Sequence, residues 1–372
     1  MPYFFLFACI AAVAILLYLT FFFFRIIVFL VGNKHRVLLF IGSLVFTAGF
    51  MYGICMLTRV GIPVLIYLGI TALVTDLVYL ILRKTALKEA KGKVYAIFHL
   101  GLIPVVLTTL IVIYGYQNMF HVYETRITVE TDKPLRAEGY RVALLADLHY
   151  GNSITGEQLQ KYCDQISAAN VDFMILCGDL SDESTTPEML EECYRILGSV
   201  KTNYGIYFVY GNHDRRRYAA GSAGYTEDML VSVIEKNNIK ILLDEIVSIN
   251  NEIVLVGRDD KNVQRQGGRE SNANIMKRVN TEKYVLVAQH IPEDMQEYAD
   301  LGADLQLGGH MHAGQIFPIN VINELTKEQN RGTRKFGNLT SIVTNGISGW
   351  GFPVRTAAHS EYMIIDIVST AR

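Results

Sequence analysis

Four apolar runs of membrane-crossing length occupy the first third of the chain, and they constrain its fold more than any other feature. A bilayer core takes roughly 20 consecutive apolar residues as a helix. The chain supplies Tyr3–Phe24, with apolar character extending to Val31, then Val37–Leu57, Gly61–Leu82 and Tyr95–Tyr116. The first run lacks the basic start and small-residue cleavage pattern of a secretory signal and is too long for one, so it reads as an uncleaved span. Residues 1–119 are therefore expected to form a four-helix transmembrane domain, with 120–139 as a linker and 140–372 as a second domain.

Charge divides the chain at the same place. Residues 1–119 hold nine Lys/Arg against Asp76 and Glu89, which leaves 25 basic and 34 acidic residues in the remainder. An acidic second domain argues against a nucleic-acid partner. Lys34, Arg36, Arg83, Lys84, Lys88, Lys91 and Lys93 share one side of the spans, and Arg59, Arg126 and Lys133 fall on the other. Basic loops stay in the cytoplasm, so the expectation is a multi-pass cell-membrane protein with its second domain extracytoplasmic. Asp76, inside the third span, is expected to pair with His99 or to reach Arg83. The five cysteines show neither paired-ligand spacing nor disulfide-rich density.

Beyond a polar connection at 124–138 the texture is that of an α/β domain. Apolar runs recur as VALLA (142–146), FMILC (173–177), IYFVY (206–210), IVLVG (253–257), YVLVA (284–288) and YMIIDIV (362–368). Amphipathic patterns such as Leu159, Tyr162, Ile166 separate them. The residues at the ends of these runs carry the chemistry. VALLA leads into Asp147-Leu-His149, FMILC into Gly178-Asp179, and IYFVY into Gly211-Asn212-His213-Asp214. YVLVA leads through Gln289 to His290, and DLQL leads into Gly308-Gly309-His310-Met311-His312. Strand ends place such residues along one rim of a sheet, where open α/β sheets build their sites. An extended backbone at 310–312 would turn both histidines to one side.

Setting His213 and Asp214 aside, these blocks offer two Asp, one Asn and four His, an oxygen/nitrogen set without sulfur. It suits Mn, Fe, Zn or Co better than Ca or Mg. Seven ligands exceed one open site and suit two metals sharing a carboxylate, the arrangement of metal-assisted hydrolysis, most often of phosphate esters.

The order DLH, GD, GNHD, lone His, GHMH resembles the calcineurin-like metallophosphoesterase superfamily over roughly Tyr140–Val368. GHMHAGQI and SGWGFPVR, behind membrane helices, are similar to a membrane-associated bacterial branch of phosphodiesterases and UDP-diacylglucosamine pyrophosphate hydrolases. The resemblance implies a four-layer αββα sandwich and two divalent metals, Mn, Zn or Fe. Asp147, His149 and His312 would hold one metal and Asn212, His290 and His310 the other, with Asp179 bridging. His213 would act as general acid or transition-state stabiliser, its ring oriented by Asp214. The substrate implied is a phosphodiester or pyrophosphate, a lipid head group among the candidates, cleaved by a metal-bridging hydroxide. A phosphomonoesterase or nucleotide phosphatase, or a non-catalytic metal- or phosphate-binding membrane sensor, are the alternatives.

Around the blocks, Arg215-Arg216-Arg217 and Arg355 are candidate phosphate clamps, against solvated-loop readings. Residues 258–271 read as a flap or a surface insertion. Trp350, the only tryptophan, is a candidate groove wall, bilayer contact or loop anchor.

Overall fold

The structure, a computed structural model, describes residues 2–83, 93–216, 218, 224–261, 268–325 and 329–371. It divides into two compact units, Met1–Gln117 with Gly351–Val354 and Asn118–Trp350 with Arg355–Arg372. Lys84, Lys88 and Lys91 of the basic loop, Arg217, and 262–267 of the expected flap lie outside the described residues.

The first unit contains helices α1 (Pro2–Val31), α2 (Arg36–Leu57), α3 (Gly61–Leu82), α4 (Lys93–His99) and, as far as Gln117, α5 (Leu102–Phe120). Cys9–Val31, Arg36–Leu57, Gly61–Leu82 and Leu102–Phe120 are long and apolar enough to cross a membrane, with mean hydropathies of 2.6, 2.0, 2.2 and 1.5. The fourth differs from the run expected at 95–116. The helix stops before Gly101, whose φ of +67° costs a glycine nothing. It restarts at Leu102 with Pro104 in its first turn, where no N–H is needed, and continues to Phe120.

Asp76 finds neither expected partner. Arg25 Nη1 stands 2.7 Å from its Oδ1, and Tyr18 Oη donates to its Oδ2 at 2.7 Å. A carboxylate in apolar surroundings takes the cation its neighbouring helix offers, and α1 supplies one. The His99 ring packs instead beside Phe29 and Tyr79.

The second unit opens with β1 (Val122–Thr131), β2 (Tyr140–Leu145), α6 (Gly156–Ala168), β3 (Phe173–Cys177), α7 (Pro187–Leu197), β4 (Ile206–Val209), α8 (Glu227–Lys236) and β5 (Ile239–Ile241). It continues with β6 (Glu245–Ile249), β7 (Ile253–Gly257), α9 (Asn272–Met276), β8 (Tyr284–Ala288), α10 (Met295–Asp300) and β9 (Leu305–Gly308). A short 3-10 turn at His312–Gly314, then α11 (Ile319–Leu325), β10 (Gly332–Phe336), β11 (Leu339–Val343) and β12 (Ser360–Ser369) complete it. One sheet runs β1-β12-β2-β3-β4-β5 and the other β10-β11-β9-β8-β7-β6. Within them only β12–β2, β10–β11 and β6–β7 pair antiparallel.

Strand alternation sets the layers. Val142, Leu144, Phe173 and Ile175 share a core with Ile253, Leu255, Leu286 and Leu305 of the opposite sheet. Their neighbours Ala143, Leu145, Met174 and Leu176 pack under α6, α7 and α8. Val254, Val256, Val285 and Val287 pack with Ile275, Met276 and Tyr298 of α9 and α10. Three cores between four layers make the expected αββα sandwich, and burial on both faces explains the unbroken apolar runs. Thr155, Thr186 and Thr226 start α6, α7 and α8 by accepting the N–H of Gln158, Met189 and Met229.

The expected linker is not one. Residues 122–131 form an edge strand paired parallel with β12 from Val122↔Ser360 to Thr131↔Ser369. Ile127 and Val129 reach the inter-sheet core. The intervening Glu124, Arg126 and Glu130 dilute the alternation, as charged residues do on protected sheet edges.

Candidate metal centre

The five blocks converge. The loops after β2, β3, β4, β8 and β9 meet at one rim, stitched by main-chain bonds: Asp147 N–H to Gly178 O, His149 N–H to Asp179 O (both 3.0 Å) and Gly309 N–H to His290 O (2.9 Å). Glycine permits this closeness. A Cβ on Gly178 would stand 2.5 Å from Gly211 N and 2.8 Å from His290 Nδ1, and one on Gly309 would stand 2.7 Å from Asp147 Oδ2.

Asp147, His149 and His312 bring ligand atoms within 4.8 Å of one another, and so do Asp179, His290 and His310. The two groups adjoin. Asp179 Oδ2 lies 3.0 Å from His290 Nε2 and 4.0 Å from His149 Nε2, and Asp147 Oδ1 lies 3.6 Å from His312 Nε2 and 3.9 Å from His290 Nε2. The Nε2 atoms of His149 and His312 approach to 3.3 Å, their rings stacked at 24°.

Three of the four rings have an acceptor behind Nδ1, at hydrogen-bond geometry for His290 and His312 and at ion-pair distance for His149. His290 Nδ1 lies 2.7 Å from Cys177 O, His312 Nδ1 3.3 Å from Ser348 O, and His149 Nδ1 3.3 Å from Asp182 Oδ2. A proton on Nδ1 directs Nε2 inward, and a metal binding there would displace any proton Nε2 carries. The carboxylates are aimed likewise, Asp147 by the N–H of His310 at 3.0 Å and Asp179 by the N–H of His213 at 2.8 Å. Asn212 Oδ1 is buried and accepts no hydrogen bond. An orphaned buried oxygen one residue before the His213 N–H that holds Asp179 fits a cation, and the sulfur-free donor set fits a first-row divalent metal.

Backbone conformation marks the site too. Asp147, His149, Asp179, His310 and His312 all adopt positive φ, from +40° to +72°. Non-glycine residues rarely do so, and such strain concentrates at functional positions. The expected extended geometry at 310–312 is therefore replaced, since β9 ends at Gly308. Two left-handed residues, rather than strand alternation, orient the two rings.

The field among these groups is strong. Burial opposes charge on His290, yet Asp179 and Asp147 outweigh it and push its pKa up to about 10. Burial works against ionisation of Asp179 as well, but His290 and His149 hold its pKa well below the ordinary range. Burial raises Asp147 to about 6 and, with the cationic His290, lowers His310 to about 4.

Asp214 does not hold the His213 ring. It is fully buried, and its carboxylate accepts the N–H groups of Asp179, Leu180, Ser181 and Gly211 at 2.7–3.1 Å, tying two ligand loops together. The ring partner is Glu183, whose Oε2 lies 2.9 Å from His213 Nδ1. Geometry requires this, because a carboxylate saturated by main-chain donors beneath the loop cannot also reach the ring above it. Asp182 and Glu183 escape a sequence reading because they resemble ordinary acids before a helix start. Their only signal is that they follow Asp179 by three and four residues.

The proposed clamps are occupied by protein groups. Arg215 pairs with Glu227 (2.7 Å) and Asp259 (2.9 Å) and lies over the Tyr210 ring, and Arg216 donates to the carbonyls of Tyr225 and Glu183. Arg355 is wholly buried and donates to the carbonyls of Asn345, Ser348 and His359, so it braces the last loop. Trp350 does line the site. Its ring centroid is 5.7 Å from that of His213, and Tyr218 stands 5.0 Å away. The described ends of the 258–271 loop are anchored, Arg258 to Asn272 (3.1 Å) and Arg269 to Gln289 (2.8 Å).

Residues 140–314 match the family model of the calcineurin-like phosphoesterases. A transmembrane protein with metallophosphoesterase domain from Danio rerio is 28% identical over 278 residues, covering 71% of this chain and 62% of the relative. An uncharacterized metallophosphoesterase of Helicobacter pylori is 30% identical over 224 residues, covering 59% of this chain and 58% of the relative. Another, from Campylobacter jejuni, is 28% identical over 299 residues, covering 78% and 76%. The chain thus spans about three fifths of the length of the first two.

Proposed function

With residues 140–314 carrying a calcineurin-like metallophosphoesterase domain, we propose that the chain is a membrane-anchored phosphoesterase using two divalent metals to hydrolyse a phosphodiester or pyrophosphate. The observation that carries this reading is the pair of adjoining ligand groups, Asp147/His149/His312 and Asp179/His290/His310, with Asp179 within 4.0 Å of both. Asp147, His149 and His312 would hold one metal and His290 and His310 the other, with Asp179, which lies near both groups, and the orphaned oxygen of Asn212 completing the donor set. Bound metals would supply Lewis acidity toward a phosphoryl oxygen and a water acidified to a nucleophile near neutral pH.

The protein's own groups do the rest. Main-chain donors hold Asp147 and Asp179 in place before substrate arrives, so no reorganisation is needed during reaction. Glu183 keeps the proton of His213 on Nδ1, which directs Nε2 toward the substrate as hydrogen-bond partner of a phosphoryl or leaving oxygen. Trp350 and Tyr218 flank that ring and offer apolar walls to the group beyond the phosphorus.

The four apolar helices make membrane anchorage the natural setting. The excess of basic residues in the first and third loops favours an extracytoplasmic catalytic domain. A tethered site samples lipid or envelope phosphoesters at high effective concentration, which favours a lipid head group as substrate. The test is turnover by the purified chain, supplied with Mn, Zn or Fe, on phosphomonoesters, phosphodiesters, pyrophosphates and phospholipids. Preference for a diester or pyrophosphate is expected. Absence of metal-dependent turnover on all of them defeats the proposal.

A further inference from the structure

The helix that comes after the His310/His312 loop is built the wrong way round for a water-facing domain. None of the seven residues of α11 is buried. At about 100° per residue, Ile319, Val321, Ile322 and Leu325 fall on one face, and Asn320, Asn323 and Glu324 on the other. Surface helices normally turn the apolar face to the core. Here Asn320 and Asn323 are the half-buried positions and Glu324 stays exposed to water. A Cβ on Gly314 would stand 2.5 Å from Asn320 Cα, and Asn330 Nδ2 donates to Asn320 O at 3.2 Å. The aliphatic face is outward, with Ile319, Val321 and Ile322 about 40% exposed and Leu325 79% exposed. Phe317 just upstream is 49% exposed. Trp350, bound at its N–H and carbonyl by the Gln315 side chain, is 51% exposed.

We infer that α11 is an interfacial helix whose apolar face enters the head-group and upper acyl region of a lipid bilayer, presenting the adjoining metal centre to that surface. The occupant is set by the chain itself. Its first unit holds four helices long and apolar enough to cross a membrane, and only His121 separates α5 from β1. A bilayer is therefore always within reach of the second unit. Seven residues alone would bind membranes weakly, but a covalent tether makes the contact intramolecular and a small apolar face sufficient. Residues 317–325 carry no basic side chain, so the contact is apolar rather than a charge attraction to anionic lipid. The turn at His312–Gly314 supports α11 directly, so docking the helix also fixes the height of the ligand loop above the lipid.

Trp350 is the only tryptophan, which permits a test on the full chain in phosphatidylcholine vesicles. W350F combined with L325W moves the sole indole onto the apolar face, and W350F combined with E324W puts it on the polar one. Lipids brominated on their acyl chains should quench the first several-fold more than the second, and aqueous acrylamide should show the reverse order. Equal quenching at the two positions overturns the inference. A second arm rests on the hydrolase reading. I319S/I322S/L325S should lose at least tenfold on a vesicle phosphodiester while keeping its rate on a soluble aryl phosphodiester. Unchanged vesicle hydrolysis in that variant overturns the access role. Absence of turnover on either substrate in the parent chain would instead defeat the hydrolase reading, and the quenching result would still decide the helix.

Discussion

His213 Nδ1 and Glu183 Oε2 stand 2.9 Å apart, and that contact joins the loop after β4 to the loop after β3. The imidazole would otherwise be free to turn between the rings of Trp350 and Tyr218. Glu183→Gln removes the charge while keeping the shape, so turnover should fall roughly 10–100-fold, the usual cost of losing an orienting carboxylate. KM, metal content and melting temperature should stay close to the parent values, because Glu183 is half-buried and its other tie, the Tyr218 N–H 3.3 Å from Oε1, can still be accepted by a Gln amide oxygen. Steady-state kinetics beside elemental analysis check this. A parental kcat would remove Glu183 from the mechanism.

Asp214 makes the opposite prediction. Its two oxygens accept four main-chain N–H groups in a fully buried place. Asp214→Ala should strand those donors and lower stability by on the order of 3 kcal/mol, with metal present or removed. Thermal unfolding of the two forms measures it. A variant that melts normally but turns over slowly would return Asp214 to a direct catalytic role.

Metal occupancy separates the two ligand groups. Asn212→Ala and His290→Ala should each bind about one metal per chain where the parent binds about two. Asp179→Asn should weaken both sites. Excess Mn should raise the parent's melting temperature by mass action, since ligand bound only to the folded state stabilises it. It should do so far less in Asp179→Asn. Elemental analysis after gel filtration and a melting series against Mn report the two effects.

Much of this was legible in the sequence for one physical reason. Strands buried on both faces write themselves as unbroken apolar runs, and glycines fall where ligand loops crowd, so VALLA, FMILC and YVLVA pointed to their own strand ends. What stayed hidden depends on contacts distant in sequence. The edge strand β1 reads as polar because one of its sides meets no neighbouring strand. Glu183 looks like any acid ahead of a helix, and Arg355 like a free cation, until the fold buries it among carbonyls. Asp76 shows the same limit, because helices apolar on every side do not reveal which neighbour they face.

Glu361 predicts a pH dependence away from the metal centre. Burial opposes its ionisation, but His359, the N–H of Asn345 and the hydroxyl of Thr125 outweigh that and hold its pKa below the ordinary carboxylate value. A pKa lower in the folded than in the unfolded chain gives stability that is full at neutral pH and lost as pH falls through the carboxylate range, roughly 4–5 and below. Glu361→Gln should therefore melt lower than the parent at pH 7, and the gap should close progressively as pH falls below the ordinary carboxylate value. A melting series from pH 7 down through the acid range measures this, and a constant gap would rule out the charge as the cause.

Arg25 and Asp76 offer the sharpest test of the first unit. Their 2.7 Å pair, with the Tyr18 hydroxyl on the second carboxylate oxygen, sits within helices apolar on nearly every side. Arg25→Ala leaves a carboxylate with one neutral donor in a medium that solvates ions poorly, at a cost of roughly 3 kcal/mol. Asp76→Asn in the same chain removes the stranded charge and keeps a hydrogen-bond acceptor for Tyr18. The double variant should thus be more stable than Arg25→Ala alone and approach the parent. Unfolding of detergent-solubilised protein with all four forms of the cycle measures the coupling. If the two losses simply add, the pair contributes nothing to the bundle, and Asp76 must be held by something other than Arg25.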